Sequence, residues 1–166
     1  MKALFADSVA DYDANRPGCP VPLYDFLIAE CNMDGHSVIV DVGAGTGKGS
    51  TPLLDRGLRI IAVGAGEKML TQTPRNKRRP RVIGGSEDMT LRGATVDVII
   101  GAQSFHWFAT TRTLSRFARV LKPEGRLALF WNTRRSEPRH QKLYEKLIVK
   151  YNPVTTARTA GRIGPA

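Results

Sequence analysis

Residues 38–42, Val-Ile-Val-Asp-Val, run straight into Gly43-Ala44-Gly45-Thr46-Gly47-Lys48-Gly49, which places four glycines in seven residues. The apolar, β-branched stretch 37–42, bounded by Gly35 and Gly43, reads as a buried strand. Glycines directly after such a strand let backbone N–H groups approach a ligand without hindrance from Cβ. A helix N-terminus following them favours negative charge. Strand, glycine turn and helix in this order put the turn at the carboxyl end of the first strand of an open α/β sheet, where such sheets bind nucleotides. Two narrower fingerprints fail. A phosphate-binding G-x-x-x-x-G-K-[ST] loop requires glycine where Val42 stands and Ser or Thr where Gly49 stands. The dinucleotide pattern G-x-G-x-x-G would end on Lys48 or Ser50. D-x-G-x-G-x-G remains.

The rest of the chain supplies the matching alternation. Apolar residues at helical spacing over 21–31, introduced by Pro20 and Pro22, predict a helix. A short helix over 53–56 ends at Gly57. Residues 59–63 read as a second buried strand, and a helix begins over 67–70. Residues 81–84 form a weak third strand and 96–100 a strong fourth. An amphipathic helix over 110–121 is stopped by Lys122-Pro123-Glu124-Gly125, and 126–131 is a fifth strand. A last helix is expected over 138–151. Strands alternating with helices imply an α/β, Rossmann-like, doubly wound sheet of about five parallel strands. After Asn152 the periodicity ends, giving a domain over 1–152 and an irregular tail over 153–166.

Composition narrows the class. In 166 residues, 42% are hydrophobic and 24% charged, which permits a packed core. Two cysteines, Cys19 and Cys31, exclude a disulfide scaffold. His36, His106 and His140 show no metal-ligand spacing, so no metal is expected. The N-terminal stretch carries Asp7, Asp11 and Asp13 and no long apolar run, unlike a secretory signal. No apolar run approaches the roughly 18 residues that span a bilayer. A cytoplasmic protein without a membrane partner is therefore expected. The net charge of +10 draws anions without naming any. Its densest clusters, Arg75 to Arg81 and Arg134 to Lys142, lack interleaved aromatics and read as solvated basic loops. Nucleic-acid binding rests on charge alone.

Several blocks occur in a telling order: Tyr12-Asp13 with Arg16-Pro17 and Pro20; VDVGAGTGKGS; Lys68-Met69-Leu70; Gly85-Ser86-Glu87; VDVIIGAQSFHWF; and RVLKPEGRLALFWN. Over residues 5–152 the sequence resembles class I S-adenosylmethionine-dependent methyltransferases of the type 11 small-molecule group, in particular the trans-aconitate methyltransferase-like branch. That resemblance implies S-adenosylmethionine as cofactor. The backbone of Gly43, Ala44, Gly45 and Gly47 would cradle its methionine part, with Asp41 supporting the turn and the amino group. Ser86 and Glu87 would lie beside the adenine, and Gln103 and Ser104 at the methionine end. His106 and Trp107 would line the substrate side, while Tyr12 and Arg16 close over the site. His106, then Tyr12, would be the candidate base; Arg16 suits a carboxylate substrate because its fork grips two oxygens. Plainer readings stand beside these: Asp41 as a capping acid, Glu87 as an exposed helix start, His106-Trp107 as a packed corner, Arg16 as a surface residue.

The sequence departs from the family pattern twice. After the second strand the family places an acid that accepts both ribose hydroxyls, and here Gly64 holds that position. Charged hydrogen bonds contribute roughly 1.5–3 kcal/mol, so cofactor affinity is expected to suffer. The family also closes its sheet with two further strands, and no pattern for them follows residue 131. A shortened domain is expected, its fifth strand an open edge available for self-association. A degenerate relative with weak or no catalysis is the alternative to a working enzyme.

Overall fold

The computed structural model describes residues 17–72, 76–132 and 146. The chain divides into two compact units, Met1–Asn132 and Thr133–Ala166; all described residues except Lys146 belong to the first. In chain order this unit contains α1 (Val21–Glu30), β1 (Val38–Val42), α2 (Thr51–Asp55), β2 (Arg59–Gly64), α3 (Glu67–Gln72), β3 (Arg81–Ile83), β4 (Val96–Ala102), α4 (Thr111–Val120) and β5 (Leu121–Phe130). Short 3-10 turns cover Ser86–Asp88 and Phe105–Trp107.

The strands form one parallel sheet in the order β3-β2-β1-β4-β5. The chain starts at the centre, steps outward to β3, then crosses to the other side of β1. The order reverses between β1 and β4, and a crevice opens at such a point beyond the carboxyl ends of the strands. Both sheet faces are covered, as parallel strands require. One face packs Ile39, Ile60 and Val98 against Tyr24 and Leu27 of α1 and Leu53 and Leu54 of α2. The other packs Val40, Val42 and Ile99 against Met89 and against Phe117 and Val120 of α4. Helix α4 buries Thr113, Phe117 and Val120, a spacing of four and three that keeps one stripe inward. Its N-cap is Thr110, which accepts from the Thr113 amide at 3.1 Å. Asp97 secures the amino end of the sheet: it accepts from the Val38 amide at 2.9 Å and pairs with Lys122 at 2.6 Å.

Two expectations change. The Lys122–Gly125 stretch does not separate helix from strand as a simple stop, because β5 already begins at Leu121. Leu121 pairs with Val96, whereas Val98 pairs with Arg126, so the intervening residues bulge out of the ladder. Pro123, lacking an N–H, is tolerated in such a bulge. The basic loop is likewise not uniformly solvated: Arg79 is 3% exposed. Its flanking carbonyls explain this. Arg78 and Pro80 accept from the Ile60 and Ala62 amides of β2 at 2.8 and 2.9 Å. The backbone is thereby held as a strand extension, and the intervening side chain is turned toward the core. The tail, Arg75, the second basic cluster and, apart from Lys146, the predicted helix over 138–151 lie outside the described residues.

Candidate functional site

The turn after β1 is shaped by left-handed backbone at Gly43, Gly45 and Gly47, with φ of 71°, 57° and 78°. Gly43 has a second constraint: a Cβ there would lie 2.7 Å from Ser104 Cβ and 2.9 Å from Phe108 Cε1. The turn spends part of its donor capacity on itself. The Gly43 and Ala44 amides both donate to the Val63 carbonyl, at 2.9 and 3.1 Å, and the Gly47 amide donates to the Ala44 carbonyl at 2.8 Å. Of the amides assigned to a cradle, Gly43, Ala44 and Gly47 thus brace the turn. The Gly45 amide makes no such bond among the described residues, and a Cβ on Gly64 would stand 4.0 Å from its nitrogen.

Asp41, two residues before this turn in β1, is 1% exposed, and neither carboxylate oxygen has a hydrogen-bond partner among the described residues. Burial pushes its pKa up to about 6, against the pull of the nearby Ser50 hydroxyl and the Arg79 charge. Tyr24, also buried, lies close enough for the Asp41 charge to raise its hydroxyl further, after burial and the adjacent Cys19. The Arg79 guanidinium donates to Thr51 Oγ1 at 2.9 Å and to the Gly47 carbonyl at 3.4 Å. Burial lowers its pKa and Asp41 raises it.

At the end of β2, Gly64 pairs with Ile83 and offers no side-chain acceptor. Met69 of α3 approaches the turn: its Cε would stand 3.4 Å from a Cβ on Gly45. Beyond β3, Ser86 is buried and its hydroxyl meets Thr113 Oγ1 at 3.4 Å. Glu87 accepts from the Thr110 hydroxyl at 2.7 Å, which commits one carboxylate oxygen to the start of α4.

At the end of β4, Gln103 adopts φ 56°, an uncommon left-handed conformation for a side chain of its kind. Its amide donates to the Phe130 carbonyl at 2.9 Å. Ser104 is buried and donates to the Val42 carbonyl at 2.8 Å. His106 and Trp107 are exposed with their rings 5.0 Å apart. Trp131 donates through Nε1 to His106 Nδ1 at 3.5 Å. The neighbouring Asn132 donates to the Pro17 and Gly18 carbonyls at 3.4 and 3.1 Å, bringing the chain just after Arg16 to the end of β5.

The tertiary structure therefore gathers Asp41, Gly43, Ala44, Gly45, Gly47, Gly64, Gln103 and Ser104 near the carboxyl ends of β1, β2 and β4. Ser86 and Glu87 are tied to α4, and His106 and Trp107 form an exposed aromatic patch with Trp131. Tyr12 and Arg16 lie outside the described residues. Sequence reasoning missed Arg79, since nothing in a run of five basic residues marks one as buried. Among the described residues no cluster of His, Cys, Asp and Glu is placed to hold a metal ion, and no helix is long and apolar enough to cross a membrane.

Comparison with known proteins agrees with this architecture. The family described as a methyltransferase domain matches residues 40–129. An uncharacterized methyltransferase-like protein of Schizosaccharomyces pombe is 39% identical over 134 residues, covering 78% of this chain and 52% of that protein. An uncharacterized methyltransferase of Mycobacterium tuberculosis is 36% identical over 135 residues, covering 81% and 54%. The chain spans about half the length of these curated relatives. A solved structure from Anaeromyxobacter dehalogenans, provisionally assigned as a type II methyltransferase, superposes with a TM-score of 0.67 at 30% identity, covering 81% of this chain and 57% of that one.

Proposed function

The chain belongs to the methyltransferase-domain family, the class I S-adenosylmethionine-dependent methyltransferases, and from that premise we propose that it moves a methyl group from S-adenosylmethionine to a small-molecule acceptor, a carboxylate being the first candidate. The observation that carries this reading is the glycine turn at the reversal point of the sheet, led into by a strand that holds the buried Asp41 carboxylate.

The residues suit the methionine half of the donor better than its ribose. Gly43, Gly45 and Gly47 bring bare backbone to the turn, the Gly45 amide is not spent on backbone among the described residues, and the Asp41 charge favours a cationic group near the turn. When bound, the donor supplies a methyl already activated on a sulfonium, so the protein has chiefly to align the reactants and exclude water. Ser104 fixes the wall on the β4 side, and Gln103 borders the methionine end. Ser86 and Glu87 are assigned to the adenine. His106 and Trp107 line the acceptor side, with Arg16 and Tyr12 assigned to closing over it.

A carboxylate acceptor fits the state of His106. Trp131 Nε1 donates to His106 Nδ1 at 3.5 Å, which engages the nitrogen a base would use. A carboxylic acid is ionised at neutral pH and needs no base. His106 then orients the acceptor, and acts as a base only if Trp131 turns away. Incubating the chain with methyl-labelled S-adenosylmethionine and a panel of small carboxylic acids tests this. Label transfer to a carboxylate supports the reading, and transfer only to amines or nucleic acid overturns its acceptor class.

Gly64 favours a second reading, a relative that binds the donor weakly and turns over little. Calorimetric titration with S-adenosylmethionine separates the two. Low-micromolar binding supports the enzyme, and no uptake at millimolar donor leaves only the ancestry.

A further inference from the structure

We propose that Arg79 is the positioning residue of the glycine turn: its buried guanidinium holds the Gly47 carbonyl and the Thr51 hydroxyl at the start of α2. As a statement about donor binding this rests on the function proposed above; as a statement about the turn it stands on the contacts alone.

The Gly47 carbonyl is where the turn becomes helix. It accepts from the Ser50 and Thr51 amides at 3.1 and 2.9 Å, from Thr51 Oγ1 at 2.8 Å, and from Ser50 Oγ at 3.3 Å. Arg79 Nη1 adds a contact to the same carbonyl at 3.4 Å and donates to Thr51 Oγ1 at 2.9 Å. That second bond fixes the Thr51 hydroxyl as acceptor toward Arg79 and donor toward Gly47, so one cation orders both. Helix α2 has five residues and no side-chain N-cap bond from Ser50. A helix so short is marginal by itself, and an external anchor at its first turn compensates.

Electrostatics makes the anchor specific to the site. Asp41 and Arg79 are each at least 97% buried, and both carboxylate oxygens and Arg79 Nε lack hydrogen-bond partners among the described residues. They interact through charge rather than by a direct bond. Removing one of two such charges leaves the other uncompensated in a low-dielectric interior. Arg79 itself is delivered by a turn in which its amide donates to the Asn76 carbonyl at 2.9 Å and Arg78 N donates to Asn76 Oδ1 at 2.9 Å. The basic segment before β3 thus has a structural product: one arginine placed at the turn.

The test compares Arg79→Met, Arg79→Lys and the wild-type chain by amide hydrogen exchange without ligand and by S-adenosylmethionine affinity well below melting. In Arg79→Met, exchange over residues 47–54 is expected to rise at least tenfold while Val96–Ala102 stays within twofold, and donor affinity to fall at least tenfold. Arg79→Lys, which keeps the charge without the fork, is expected to fall between. Should Arg79→Met not fold, Thr51→Val removes the hydroxyl that Arg79 holds, and the same segment is expected to exchange several-fold faster. Unchanged exchange at 47–54, or a uniform rise across the sheet, overturns the proposal whatever the affinities. A localised rise with a wild-type chain that takes up no donor upholds Arg79 as the turn's anchor and sinks the proposed function instead.

Discussion

The Ser104 hydroxyl donates to the Val42 carbonyl at 2.8 Å, joining the ends of β4 and β1 across the point where their ladder has stopped. Paired positions between these strands run from Ile39–Val98 to Asp41–Ile100. Beyond them the strands separate, and this bond spans the gap just before the glycine turn. Ser104→Ala leaves the buried Val42 carbonyl without that donor, at an expected cost of about 1–2 kcal/mol. Chemical denaturation with an unchanged m-value is the check. A loss of stability indistinguishable from zero would mean that the bond is not needed to hold the crevice.

Gly43→Ala faces two obstacles together. The backbone sits at φ 71°, and the new Cβ meets Ser104 Cβ at 2.7 Å and its Oγ at 2.8 Å. Left-handed strain and overpacking each cost on the order of 1–3 kcal/mol. The variant should melt well below the wild type and bind no donor. Normal donor affinity in a folded Gly43→Ala chain would remove the turn from the binding site.

Gly64→Asp should tighten donor binding. Gly64 is not left-handed, and a Cβ there finds only ordinary contacts, Leu70 Cδ1 at 3.7 Å and the Gly45 nitrogen at 4.0 Å. A carboxylate able to accept from ribose hydroxyls is worth roughly 1.5–3 kcal/mol, about a ten- to hundredfold gain in affinity. Isothermal titration reads this directly. Unchanged affinity would place the ribose elsewhere.

Asp41 makes stability depend on pH in a defined direction. Its folded pKa is raised to about 6, above its ordinary value near 4. Between these values the folded state holds the proton more tightly than the unfolded one. The stabilising contribution is complete below about pH 4 and lost as pH rises through about 6, roughly 3 kcal/mol in all. Asp41→Asn should remove this slope. Denaturation midpoints of both chains from pH 4 to 7 should diverge progressively; parallel curves would show that Asp41 is ionised throughout or not buried.

What was legible in the sequence was local. The β-branched runs named β1, β2 and β4, the spacing in 21–31 named α1, and the helix-strand alternation gave the parallel sheet. Glycine density marked the turn because left-handed backbone at three positions leaves few other choices. The positions of Gly64 and Ser104 were readable only through resemblance to a family.

Everything that depended on a partner far along the chain needed the fold. Arg79 is one basic residue among five, and its burial comes from Arg78 and Pro80 bonding to β2. Glu87 is engaged by Thr110, 23 residues away, rather than left at an exposed helix start. Leu121 joins β5 because Val96 pairs with it across the sheet. The chain's own pattern determined which segments become strands, helices and turns, since dihedral preference and hydrophobic period are properties of neighbours in sequence. Tertiary structure decided which charges are buried and which amides are already spent, since desolvation and hydrogen-bond partnership are set by neighbours in space.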